Sequence, residues 1–414
     1  MKSKNNKRVV IVGGGFGGMY TYRRLMKHFK KSEGIDIIIV NDTNHFLFTP
    51  LLHEVATGSI APPLVGEPIR VIAPDLLDFY EDTAERISLQ KKVVHTSSHD
   101  IPYDYLVLAM GSTTYTFDTP GVAEHAFMLK TLKEARSLKN RCIDQFERAV
   151  HEKDPDRVSE HLSFAIVGGG PTGVELAAEL HEFLYHTLSD IYPYLLRQYI
   201  RVHLVQSRDE LVPHFPPVFR DTAAKTLSKK GVVLHFNSRV RKVTDDGIEL
   251  DTDTFISAKT VIWTAGVKPV VPSFDLSVQA DERGRLVVDE AMRIQGYPDV
   301  FGIGDMVSYG NPPLSGLAQV AVDEARVVGD TIHAMVTGEP HSMPVYQYVS
   351  RGTLMSLGKW KAVGRVGSFT IKGPVAWWIW RTIYLFKMYS WRKRIEVALN
   401  WTVTMFARRD ITQV

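Results

Sequence analysis

Two matched sets of glycines are the residues best suited to chemistry in this chain. Gly13, Gly15 and Gly18 stand in G-x-G-x-x-G spacing within VGGGFGGMY, and Gly168, Gly170 and Gly173 repeat it within VGGGPTGVE. Each glycine has a physical task. The first permits a tight turn, the second lets a pyrophosphate approach the backbone, and the third lets a helix pack closely on a strand. A helix opening at such a loop turns unpaired N–H groups and the positive end of its dipole toward phosphate. One copy is also met as a plain strand–helix turn. Two copies, with Phe16 and Gly17 completing the first loop and Pro171 and Thr172 the second, point to two dinucleotide sites.

Elements of the right kind flank both loops. Arg8–Val12 and Phe164–Val167 are short β-branched, apolar runs, as in buried parallel strands, and each loop runs into a helical pattern. The next strand of such a unit ends beside the ribose. In the first unit IDIIIV (35–40) is followed by Asn41 and Asp42. Asn41 takes the usual place of an acid or Asp42 reaches it, and a plain Asn-Asp turn is the alternative. In the second unit RVHLV (201–205) is followed by Gln206 and, two residues on, Arg208. A neutral Gln beside a cation removes the repulsion of a 2′-phosphate, so NADPH is expected to serve at least as well as NADH, unless Arg208 is only a solvated turn residue. Further strand ends follow: Ala109 and Gly111 after YDYLVL, Gly266 after TVIWTA, and Gly304-Asp305 after VFGI. Glu175 is expected in the first turn of the second loop's helix, where a carboxylate would also suit the macrodipole.

The totals set bounds. A chain of 414 residues with 44% hydrophobic residues can bury a large core and is long enough for two or three domains. A formal net charge of +3 argues against a nucleic-acid partner. The lone cysteine, Cys142, removes disulfide chemistry and suits a reducing compartment. The basic start MKSKNNKR leads into an apolar run too short for a secretory signal. No stretch of uncharged apolar residues is long enough to span a bilayer. The histidines lack metal-ligand spacing, so no metal is expected.

With these motifs in order, the sequence resembles the type II NADH dehydrogenases, single-subunit NADH:quinone oxidoreductases of the two-dinucleotide-binding flavoprotein superfamily. The glycine loops belong to the superfamily; HFLFTPLLHEVATG (45–58) and SLGKWKAVGRVGSFTIKGPVAWW (356–378) carry the narrower likeness. The resemblance implies an α/β fold of two Rossmann-like domains and a C-terminal membrane-associating segment. FAD would occupy residues 1–125 completed by 288–345, NADH or NADPH would occupy 126–287, and 346–414 would form the membrane-anchoring region. Thr49 and Pro50 would lie beside the isoalloxazine, Ala84 near the adenine, and Asp305 on the ribityl chain. Ala318, opening a helix near Leu317, would face the flavin's electron-rich edge. Gln319, Asp323 and Glu324 would lie near the quinone. Where many family members carry Gln-Gln this chain has Asp323-Glu324, which would alter polarity and proton supply.

The resemblance implies hydride transfer from nicotinamide to flavin, with Glu175 near that contact and delivering a proton to reduced quinone. His45 and His53 read as loop residues rather than catalysts. The tail after Gly373 is rich in Trp377, Trp378, Trp380, Trp391 and Trp401 and in Arg381, Lys387, Arg392, Lys393, Arg394, Arg408 and Arg409. It is expected to lie in a membrane interface, with Pro374 opening its helix; a helix packed on the body or on a dimer partner is the alternative. Work on the cytoplasmic face of a prokaryotic inner membrane follows, with a homodimer possible. A soluble reductase of an electron-carrier protein and a slow redox-sensing flavoprotein are the competing readings.

Overall fold

The computed structural model describes residues 6–29, 34–310, 316–339, 344–349 and 352–413. The first five residues, with most of the basic N-terminal stretch, lie outside these. The chain forms two compact units. One comprises Met1–Leu47, Gly66–Thr113 and Val267–Val349; the other comprises Phe48–Val65, Thr114–Gly266 and Ser350–Val414. The segment 48–65 and the C-terminal tail thus belong to the compact unit that carries the second glycine loop, and the expected boundary at 287/288 falls inside the first unit.

In the first unit five parallel strands run in the order Val300–Gly302, Tyr105–Leu108, Lys7–Val12, Ile35–Asn41 and Asp78–Glu81. The glycine-loop strand sits in the centre, and Val9, Val10 and Ile11 are fully buried. An all-parallel sheet is covered on both faces, which is why its strands read as continuous apolar runs without alternation. The helices Phe16–His28 and Ala318–Thr337 pack together beside it.

The second unit repeats the plan. Its parallel order is Ala126–Phe127, Thr260–Trp263, Ser163–Val167, Arg201–Val205 and Val233–His235, again with the loop strand central. A three-stranded antiparallel sheet (Val240–Thr244, Gly247–Leu250, Phe255–Ser257) packs its Val243, Ile248 and Ile256 against Val261 and Trp263. The tail begins as an antiparallel sheet of Thr353–Ser356, Ala362–Val366 and Phe369–Lys372. Two helices follow, Gly373–Lys387 and Trp391–Phe406. Pro374 stands in the first turn of the earlier one, and the Ser390 hydroxyl caps the later one through the Lys393 N–H. No helix among the described residues is long and apolar enough to cross a membrane.

Candidate active site

The two glycine loops have nearly the same geometry. Gly13 and Gly168 take φ of +111° and +112°, where a side chain is strained. A Cβ on Gly18 would lie 1.8 Å from the Gly13 carbonyl oxygen, and one on Gly173 would lie 1.9 Å from that of Gly168. Gly15 and Gly170 differ: a Cβ on either would meet nothing within 4 Å. These are the positions where a phosphate needs open approach. Both glycines are helix N-caps with no side-chain cap, and neither helix has an acid in its first turn. The leading N–H groups are therefore left to an anion. Phe16 opens the first helix, packed edge-on against Phe46 at 5.2 Å, and Pro171 and Thr172 open the second. A Cβ on Gly17 would press on Ile303 and on Ala109, whose own carbonyl crowds Gly13.

The strand-end amides are used alike in both loops. The Gly14 N–H donates to Asn41 Oδ1 at 2.6 Å, and Asn41 Nδ2 donates to Thr43 O at 2.8 Å. In the second unit the Gly169 N–H donates to Gln206 Oε1 at 3.3 Å, and Gln206 Nε2 donates to Glu210 O at 2.9 Å. A carboxylate could take the N–H but could not donate onward, so an amide ties loop and turn together. Asp42 and Arg208 are exposed, and Arg208 makes no ion pair among the described residues.

The remaining residues expected at the flavin fall in the first unit, apart from Thr49 and Pro50. Ala84 is buried at the start of the strand Ala84–Ser88, and Gly111 takes a positive φ of +67°. Ser112 donates its hydroxyl to Asp305 Oδ2 at 2.5 Å. The helix from Ala318 has neither a side-chain cap nor an acid in its first turn, so its N–H groups suit an electron-rich ring edge. Arg285, Gly304, Asp305, Tyr309, Leu317 and Glu324 line a cleft there. These residues fit a flavin nucleotide: an open phosphate loop, a polar turn at Asp305 and an uncapped helix end. Gln319 donates to Val349 O at 3.4 Å. Asp323 pairs with Arg326 at 2.8 Å, whereas Glu324 is 2% exposed and accepts the Gly304 N–H at 2.6 Å. The adjacent carboxyls thus have separate partners. In the second unit, Thr49 and Pro50 form a single helical turn with Leu51, Thr49 exposed and Pro50 half-buried, and Gly266 takes φ +72° against the Phe117 ring.

Glu175 departs from expectation. It is the fifth residue of the helix Pro171–Phe183, beyond the first turn, and it is buried. Its Oε1 accepts the Ser356 N–H at 3.0 Å. Burial pushes its carboxyl up to about 8; the Ser356 N–H opposes this, and Glu54 and Glu179 reinforce it. It is a poor helix cap and a good proton holder.

Sequence reasoning missed the buried ionic cluster around it. Glu179, one helical turn along, accepts from Arg409 at 2.8 Å and from Ser59 at 3.3 Å. Burial pushes Glu179 up, but the Arg409 guanidinium outweighs it and holds the carboxyl below its ordinary value. Glu54 accepts the Trp401 indole N–H at 2.7 Å, and burial raises it to about 7 against the pull of Arg381. His53 is buried and neutral, pushed down to about 4 by desolvation. The signal was present in HEVATG: a His-Glu pair inside an otherwise apolar loop asks for buried partners.

The tail also needs correction. Of the five tryptophans after Gly373, Trp377, Trp380 and Trp401 are core residues, and Trp378 and Trp391 are exposed. Arg381 does not reach solvent as an interfacial cation. It is sandwiched over Trp377 at 4.0 Å and Trp401 at 4.7 Å, facing Glu54 and Glu179. Both of the tail's roles, packed helix and exposed apolar face, are present on different sides of the same helices.

The pyridine nucleotide-disulphide oxidoreductase family matches residues 7–325, and the NDH2 C-terminal domain matches residues 350–410. The type II NADH:quinone oxidoreductase Ndh of Mycobacterium tuberculosis is 32% identical over 97% of this chain and 89% of its own length. The chain belongs to the type II NADH dehydrogenase family. Other members include an internal alternative NAD(P)H-ubiquinone oxidoreductase of Arabidopsis thaliana, 30% identical over 100% of this chain and 87% of that one. The fold is that of NDH2 from Plasmodium falciparum, solved in complex with NADH, at TM-score 0.90 and 19% identity over 98% of this chain and 100% of that one. It is shared less closely with the sulfide:quinone oxidoreductase of Aquifex aeolicus, at TM-score 0.72, 18% identity and coverage of 97% and 96%. Type II NADH dehydrogenases are therefore the frame for this site. The one cysteine, Cys142, is fully buried with its thiol pushed up to about 12 by desolvation, which makes it a packing residue.

Proposed function

We propose that this chain oxidises NADH through a bound FAD and delivers both electrons to a quinone at a membrane surface, without moving protons across the membrane. The pair of matched glycine loops carries this reading: each offers an open phosphate approach and uncapped N–H groups, and together they supply the two dinucleotide sites that the reaction needs. When bound, the flavin supplies the step from hydride donor to electron acceptor. The protein's part is to bind, orient and hold protons.

In this reading Gly13, Gly15, Phe16, Gly17 and Gly18 hold the FAD pyrophosphate, Asn41 steadies the loop against the ribose, and Asp305 takes the ribityl hydroxyls. Ala318 presents helix N–H groups to the ring. Gly168, Gly170, Pro171, Thr172 and Gly173 hold the nicotinamide dinucleotide. Gln206 carries no charge against a 2′-phosphate and Arg208 is open to solvent, so NADPH serves as well as NADH. Glu175 is protonated at neutral pH and gives a proton toward quinol. Gln319, Asp323 and Glu324 stand nearest the acceptor.

The exposed apolar side of the two tail helices rests in the interface, on the cytoplasmic face of a prokaryotic inner membrane, where NADH is made. A homodimer is the assembly to look for. The deciding experiment is purification in detergent followed by NAD(P)H oxidation with and without a short-chain quinone. A yellow protein that turns over with quinone supports the reading; a colourless protein that cannot be reconstituted with FAD overturns it. A soluble electron-carrier protein as the better acceptor would favour the carrier-reductase alternative.

A further inference from the structure

Glu324 is a buried ionisable group to which the reading above gives only a neighbourhood. Three carboxyls meet where the Gly304–Met306 turn abuts the helix Ala318–Thr337. Asp323 pairs with Arg326 at 2.8 Å, and Asp305 accepts the Ser112 hydroxyl at 2.5 Å. Glu324 has only the Gly304 N–H, at 2.6 Å, and no cation pairs with it among the described residues. Arg285 lines the same cleft but is held by Asp281 at 2.7 Å. Tyr346 and Tyr309 lie nearby, with the Tyr346 hydroxyl buried, without a hydrogen-bond partner among the described residues and held neutral by desolvation.

A carboxyl with one hydrogen bond and no counter-ion among the described residues, and with two acids beside it, is poised between its forms. Burial, then Asp305 and Asp323, raise Glu324 to about 7 against the Gly304 N–H. Such a group responds to any new charge nearby. The same turn and the same helix end are those assigned above to the flavin. Two electrons arriving there add negative charge at short range.

We propose that Glu324 takes up a proton when flavin bound in this unit is reduced and releases it when the flavin is reoxidised. The inference rests on the flavin reading above. On reduction, the hydride of NADH brings two electrons and one proton to the flavin, NAD+ leaves, and a proton from solvent neutralises the Glu324 carboxylate. On reoxidation, quinone takes the two electrons, the proton held on the flavin and one proton from Glu175, which is reloaded from solvent while Glu324 returns its own proton to solvent. Quinol forms and the carboxylate returns, so charge and atoms balance over the cycle. Glu324 acts here as a positioning and proton-storing residue beside the ring.

The test is a redox titration of the flavin's visible absorbance at a series of pH values, for the wild-type holoenzyme and for Glu324→Gln. The amide oxygen of Gln still accepts the Gly304 N–H, so the variant keeps the turn. A two-electron couple taking up one proton falls by about 30 mV per pH unit. The variant is expected to show that slope throughout, and the wild type about twice that slope around neutral pH. Superimposable slopes overturn the proposal. Should the variant lose its flavin, the wild type decides alone: a doubled slope with a protonated-carboxyl infrared band appearing on reduction supports it, and a one-proton slope without that band overturns it. Failure of the flavin reading is distinct, because the wild type would then have no visible couple to titrate.

Discussion

Replacing Leu399 and Phe406 with serine should detach the protein from membranes while leaving its fold intact. On the helix Trp391–Phe406, Trp391, Ile395, Leu399 and Val403 recur every fourth residue and Phe406 follows three later, so they share one face. None is covered: Leu399 is 62% exposed and Phe406 is 88% exposed. Fully burying a side chain of this kind is worth about 1.5–3 kcal/mol. Scaled by the area still open, the pair contributes about 3 kcal/mol to lipid binding, which is about a hundredfold in partition. Co-sedimentation with lipid vesicles, one set neutral and one anionic, measures that partition directly. Thermal unfolding in detergent-free buffer serves as the control, since neither side chain belongs to the core. A loss of less than about threefold on both vesicle types would refute the reasoning and leave the stripe as surface or as a contact with another copy.

Arg409→Gln strands the Glu179 carboxylate in a buried site and should cost about 3 kcal/mol, seen as a lowered Tm. With the cation gone, burial governs Glu179 and its folded-state value rises above the unfolded one. The loss is then largest above neutral pH and shrinks on acidification, opposite to the wild type, in which Glu179 is depressed and its contribution fades as pH falls. Adding Glu179→Gln should recover most of it; no recovery would assign the effect to other contacts. Glu175→Gln should slow turnover by about a hundredfold with flavin retained, and an unchanged kcat would remove the proton-delivery role. Gln206→Glu should reduce kcat/KM for NADPH about tenfold relative to NADH, and equal effects on both would make Gln206 a loop anchor only.

Local rules read from sequence located the two nucleotide units because each rule concerns residues close together in the chain. Gly13 and Gly168 require a positive φ, Gly18 and Gly173 require the absence of a side chain, and the flanking strands announce themselves by composition. The opening of the helix at Ala318 came from the family resemblance, since Leu317 offers no capping side chain to mark it. What escaped was long-range. Trp401 looks amphipathic beside Thr402 and Thr404, yet its ring N–H is spent on Glu54, hundreds of positions earlier. Arg381 looks like a break in an apolar run, yet it faces two carboxylates supplied by other segments. Glu175 was displaced by a smaller error: counting its helix from Pro171 puts it just beyond the first turn, where dipole stabilisation gives way to packing.

The capture of Arg381 and Arg409 by internal partners changes what the basic tail can offer outside. Lys393 is engaged with Glu396 and the Pro63 carbonyl, and Arg392 with the same Glu396. The tail's outward charge therefore comes from fewer cations than its composition suggests, with Lys387 and Arg408 among the exposed ones. Adhesion of this kind leans first on its oily stripe, so added salt should loosen it only in part.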